Sequence, residues 1–90
     1  MRVTWDPEKA KLNRRKHGIR FSDAEGVLFD PYALTEEDQA ADGEQRYVTI
    51  GLDSLSRVLV VVYTYRGDDI RLISARRATR KERRSYEKRI

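Results

Sequence analysis

Ninety residues, 38% of them charged and 39% hydrophobic, suit one small globular domain spanning 1–90 with a thin core. The lack of cysteine excludes a disulfide framework and a thiolate metal site, and a lone histidine argues against a zinc site, so no metal or other cofactor is expected. No apolar run approaches the ~20 residues that cross a bilayer, and no secretory leader opens the chain, so a soluble cytoplasmic protein with no membrane contact is expected.

Val3 to Trp5 reads as a short opening strand. Asp6-Pro7 then starts a helix, because Asp6 can cap it and Pro7 lacks only an N–H that the first turn leaves unused. The helix runs to about Lys16 or His17, where Gly18 ends it. Ala10, Asn13 and His17 share one face, which is unusually polar for a face that meets a core. Ser22 and Glu25 match the S-x-x-E capping pattern and predict a second helix, with Ala24, Val27 and Leu28 as its apolar stripe and Asp30-Pro31 as its stop.

The stretch from Thr35 to Gln45 is acidic and turn-rich and reads as an exposed loop. Three strands follow, Arg46 to Leu52, Val58 to Tyr65 and Ile70 to Arg76, joined by short polar turns into an antiparallel meander. The middle one is apolar or aromatic on both faces, which marks a central strand. Thr79 and Glu82 make a second capping pair at the start of a basic final helix, whose apolar anchors are Tyr86 and Ile90. The order β-α-α-β-β-β-α predicts an α+β fold: an antiparallel sheet of about four strands, with two N-terminal helices and one C-terminal helix against one face.

The net charge of +4 is unevenly spread. Residues 1–20 carry net +5, residues 21–70 net −8, and residues 71–90 net +7. Basic ends around an acidic middle suggest a polyanion-facing surface formed where the two ends meet, although solvated helix faces would give the same pattern.

Four groups of residues could carry chemistry. His17, beside Lys16, could transfer protons near neutral pH, or could simply hydrogen-bond at its helix end. Arg71, Arg76 and Arg77 lie on or just after the last strand. Strict alternation places Arg76 on the face of Ile70, Leu72 and Ser74, and Arg71 and Arg77 on the other. A guanidinium fork there suits a phosphate, or else an ion pair with the acidic middle segment. Arg46 opens the first meander strand on the Val48 and Ile50 face. Tyr86 could stack on a base or anchor its helix. Arg66-Gly67-Asp68 reads as a hairpin turn rather than an adhesion tripeptide. No dinucleotide, P-loop, hydrolase-elbow or zincin motif occurs.

These landmarks, in order, resemble the BrnT toxin family. Asn13, Lys16, His17, Gly18, Phe21 and Ala24 look like its N-x-x-KHG-x-x-F-x-x-A segment, with Trp5-Asp6, Lys9 and Ala10 like its opening. Arg46 and Gly51 resemble its R-x-x-x-x-G strand, and Arg71 through Glu87 its R-x-ISAR-x-AT-x-x-ER-x-x-YE ending. The resemblance implies a RelE/ParE-like α+β fold, ribonuclease activity on an RNA substrate, and neutralisation by a BrnA-type antitoxin that alone contacts operator DNA. It leaves a homodimer open. Lys16, His17, Arg46 and Arg76 fall on the matching motif positions, and metal-independent acid–base cleavage is the mechanism they suit. Arg76 and Arg46 would hold the phosphate, Lys16 would add charge, His17 would move a proton, and Arg71 and Arg80 would bind flanking phosphates. A non-catalytic nucleic-acid binder, or a module that only docks an acidic antitoxin, would share the same basic surface.

Overall fold

The computed structural model describes residues 2–38 and 43–89. Residues 39–42 of the acidic stretch and the anchor expected at Ile90 lie outside them.

Helix α1 (Pro7–His17) has the ends its sequence predicts. Asp6 accepts a hydrogen bond from the Glu8 N–H, Pro7 occupies the first turn, and Gly18 closes the helix at φ +71° with its N–H on the Arg14 carbonyl. Ahead of it lies β1 (Val3–Thr4). Helix α2 (Phe21–Ala24) departs from expectation: Arg20, not Ser22, stands at its N-cap, with no side-chain cap bond. The chain passes at once into a 3₁₀ turn (Glu25–Phe29), which presses on the backbone of Asp53 and Ser54. A Cβ on Gly26 would sit only 2.8 Å from the Ser54 nitrogen, so this close approach requires glycine.

The strands are β2 (Leu34–Glu37), β3 (Tyr47–Leu52), β4 (Val58–Arg66) and β5 (Asp69–Arg77), in the order β1-β5-β4-β3-β2. The sheet therefore has five strands among the described residues, rather than about four, and is mixed, since β1 runs parallel to β5. The extra strand, β2, lies inside the stretch expected to be a loop. An edge strand can stay acidic and exposed because its backbone, not its side chains, carries the pairing. Here β2 pairs with β3 over Leu34↔Ile50 to Glu37↔Tyr47, and Thr35 and Thr49 share a hydroxyl hydrogen bond.

Core residues Ile19, Phe21, Ala24 and Val27 pack on Leu59, Val61, Tyr63, Ile70, Leu72 and Ala75. Thus α1, α2 and the 3₁₀ turn cover one face of the sheet. Helix α3 (Arg80–Glu87) crosses the other, where Lys81, Glu82 and Ser85 line a hollow of about 280 Å³ with Leu34, Val48 and Ile50. The helices do not share one face, as expected from the element order, but enclose the sheet. Two side chains hold α3 there: Tyr86, 1% exposed, donates its hydroxyl hydrogen bond to Asp30 at the sheet rim, and Glu82 clasps Arg76 of β5. Burial pushes the Asp30 carboxyl up, but hydrogen bonds from the Leu52 N–H, Tyr86 and the Tyr32 N–H outweigh it and leave the group below its usual range.

Candidate active site

Strand β5 does not alternate regularly. Val62 pairs with Ser74, but the next residue, Tyr63, pairs with Leu72, so Ile73 is a β-bulge. The extra residue resets which side chains share a face. Ile70, Leu72 and Ala75 enter the core, whereas Arg71, Ser74 and Arg76 share the opposite face with their partners Thr64, Val62 and Val60. This corrects the alternation predicted from sequence, which paired Arg76 with Ile70 and Leu72. The bulge brings Arg71 and Arg76 together on the face that α3 partly covers.

Lys16 and His17, at the end of α1, line a hollow of about 270 Å³ with Lys9, Leu12, Asn13, Ile73 and Ser74. Ser74 therefore belongs both to this edge hollow and to the arginine face. Asn13 fixes that geometry. It is 6% exposed, its Nδ2 donates to the Ile19 and Ala75 carbonyls, and its Oδ1 accepts from the Ala75 N–H.

Arg46 lies just before β3, one residue ahead of the Tyr47↔Tyr63 pair, and so opposite Thr64 and in the row of Arg71. Arg76 pairs with Val60, four residues earlier in β4, so the two arginine backbones stand about 13 Å apart along the strands. The structure brings Lys16 next to His17, and Arg71 onto the face of Arg76, but sets Arg46 and Arg76 at opposite ends of that face. The Arg46 Nε is buried with no hydrogen-bond acceptor among the described residues. Arg80 is exposed in the first turn of α3.

The ion-pair partner of Arg76 is Glu82, not the acidic middle segment. Arg76 Nη1 and Nη2 donate to the two Glu82 carboxylate oxygens at 2.8 and 2.9 Å. Glu82 also completes the capping box, accepting from the Thr79 N–H. The Arg76 hydrogen bonds hold the Glu82 carboxyl at about 2, below its usual 4.5, despite burial. The same bonds raise Arg76. The capping role was readable from the Thr79-x-x-Glu82 spacing; the clasp on Arg76 has no local signature, because it depends on how α3 packs back against β5.

The clasp has a pH signature. Glu82 titrates lower when folded, so its stabilisation is complete above pH 4.5 and is lost as pH falls toward about 2. The full shift corresponds to about 3 kcal/mol, but Arg76 is 41% exposed and solvent screening reduces this to about 1 kcal/mol. Glu82→Gln should therefore lose about 1 kcal/mol at pH 7 and flatten the acid limb of a stability-against-pH profile measured by urea unfolding. An unchanged acid limb would show that the pair contributes nothing.

A family model described as "Ribonuclease toxin, BrnT, of type II toxin-antitoxin system" matches residues 5–82. Among solved structures, the Brucella abortus ribonuclease toxin BrnT resembles this fold with a TM-score of 0.70 and 28% sequence identity, over 89% of this chain and 99% of that chain. No curated protein matches the sequence at a significant level. The chain belongs to the BrnT family of ribonuclease toxins of type II toxin–antitoxin systems.

Proposed function

We propose that the protein is an endoribonuclease that cuts RNA by metal-independent acid–base chemistry, and that a BrnA-type antitoxin silences it. The observation that carries this reading is the bulge at Ile73, which gathers Arg71, Ser74 and Arg76 on one face while Ser74 borders the Lys16–His17 hollow. In the proposed reaction the ribose 2′-oxygen gives up its proton and attacks the adjacent phosphorus. The bond to the 5′-oxygen breaks, that oxygen takes a proton, and a 2′,3′-cyclic phosphate remains. Arg76 holds the phosphate as charge builds on it, Lys16 adds positive potential, and His17 transfers a proton. Such general acid–base help is worth about 10² to 10⁴-fold. Given its place at the far end of the face, Arg46 joins Arg71 on a neighbouring phosphate. Arg80 contacts the flanking strand. The antitoxin would mask this basic face and alone reach the operator DNA.

Incubation of purified protein with single-stranded RNA tests the reading. Products should end in a cyclic phosphate and a 5′-hydroxyl, excess EDTA should leave the rate unchanged, and a BrnA-type protein should stop cleavage. A gel shift without any shortening of the RNA would make the protein a binder, and loss of activity in EDTA would make the chemistry metal-dependent.

A further inference from the structure

We infer that a second phosphate site, for the RNA backbone flanking the cleaved linkage, lies where β4 begins and β5 passes into α3. This inference rests on the ribonuclease reading above. A hollow of about 310 Å³ is lined there by Ser56, Arg57, Val58, Arg77, Ala78 and Arg83. Arginines from three separate segments line this one concavity: Arg57 ahead of β4, Arg77 at the end of β5 and Arg83 on α3.

The three arginines differ in how far they are already neutralised. Arg57 is held rigidly, because its Nε and Nη2 donate to Asp53, whose carboxylate is fully buried and also accepts from the Leu55 and Arg57 N–H groups. Asp23 adds a looser contact at 3.7 Å. Arg57 is thus a positioned wall rather than a free charge. Among the described residues the one carboxylate near Arg83 is Glu87, at 3.8 Å, with both side chains more than half exposed, an arrangement that neutralises little. Among the described residues no carboxylate lies within ion-pair distance of Arg77. Arg77 and Arg83, whose donors are largely unused, therefore line this hollow together with Ser56. Guanidinium forks with a hydroxyl donor match a phosphodiester, which offers two acceptor oxygens and one negative charge.

The position fits a strand of RNA as well. Arg76 and Arg77 are neighbours in β5, on opposite faces, and Arg76 Nη1 donates to the Arg77 carbonyl at 3.2 Å. The Arg76 guanidinium thus folds toward the strand end at which the hollow opens. A backbone gripped at Arg76 reaches Arg77 and Arg83 by rounding the end of β5.

The test compares the double variant Arg77→Ala/Arg83→Ala with Lys11→Ala/Lys88→Ala, which loses equal charge elsewhere. All four residues are exposed, and melting curves should coincide with wild type. On long single-stranded RNA the arginine double variant should raise KM about tenfold and lower the salt slope by about 0.7 for one lost phosphate contact, while the lysine double variant stays at wild type. Binding of a non-cleavable 2′-O-methyl RNA should weaken by the same factor. That arm separates the two ideas: a protein that binds this probe through Arg77 and Arg83 yet never cuts RNA keeps the site and loses the nuclease. Unchanged KM and affinity, an equal loss in the lysine variant, or weakened antitoxin neutralisation with unaltered RNA binding would each overturn the site, the last making the hollow a protein-docking surface.

Discussion

Arg76→Ala should lower RNA cleavage by at least about 10²-fold and abolish growth arrest, because removal of one preorganised donor from a charged transition state typically costs that much. The difficulty is that Arg76 also clasps Glu82, and through it helix α3. Loss of activity could follow from a loosened helix rather than a missing phosphate ligand. Glu82→Gln separates the two. It weakens the clasp from the other side and leaves the Arg76 fork in place, with more of its donors available to RNA. If Arg76 grips the phosphate, Glu82→Gln should keep kcat/KM near wild type while Arg76→Ala loses it, and both should melt as folded proteins. If Arg76 only positions α3, the two variants should lose activity together. A folded Arg76→Ala that cuts RNA at the wild-type rate removes this residue from the chemistry altogether.

The sequence carried local geometry well and cross-strand geometry poorly. Asp6, Pro7 and Gly18 set the limits of α1 because caps act over three or four residues of the same chain. Thr79 and Glu82 did so for α3. The unbroken apolar run of β4 gave its central place in the sheet. The bulge at Ile73 left no such trace. An inserted residue shows only against the strand it pairs with, so alternation along β5 put Arg71 and Arg76 on different faces. Strand β2 was hidden for a related reason, since its pairing is a backbone property and its Glu36 and Glu37 side chains point into solvent. The side of the sheet that α3 covers was equally invisible, because it depends on Tyr86 finding Asp30, 56 residues away. The candidate residues could be named from their motif, but their grouping, with Lys16 and His17 at one edge, Arg71 and Arg76 on one face and Arg46 at its far end, required the fold.

One anomaly that was visible in the sequence leads to the largest stability effect expected here. Asn13 sits on the core-facing side of α1, where an apolar residue would be the ordinary choice. Strand β1 pairs with β5 only at Ile70 and Arg71, so the outer edge of β5 beyond the bulge has no strand beside it. The Ala75 N–H and C=O would be buried there without partners. Asn13 supplies both, and ties down the Ile19 carbonyl as well. Each buried group left unsatisfied costs about 1 to 3 kcal/mol, so Asn13→Ala should lose about 3 kcal/mol or more, a large part of the about 5 to 10 kcal/mol total of a small domain. Asn13→Asp should be worse still at neutral pH, because a carboxylate oxygen would face the Ile19 and Ala75 carbonyls in place of the amide donor. Burial beside those acceptors would raise the new carboxyl above its unfolded value. The loss should therefore shrink as pH falls and the group takes up the proton it needs as a donor, which is the reverse of the acid dependence expected from Glu82. Urea unfolding of both variants at pH 7 and at pH 4 reads this directly. An Asn13→Ala protein within about 1 kcal/mol of wild type would mean that water or a shifted backbone satisfies the Ala75 and Ile19 groups, and that Asn13 does not fix the edge where Lys16, His17 and Ser74 line one hollow.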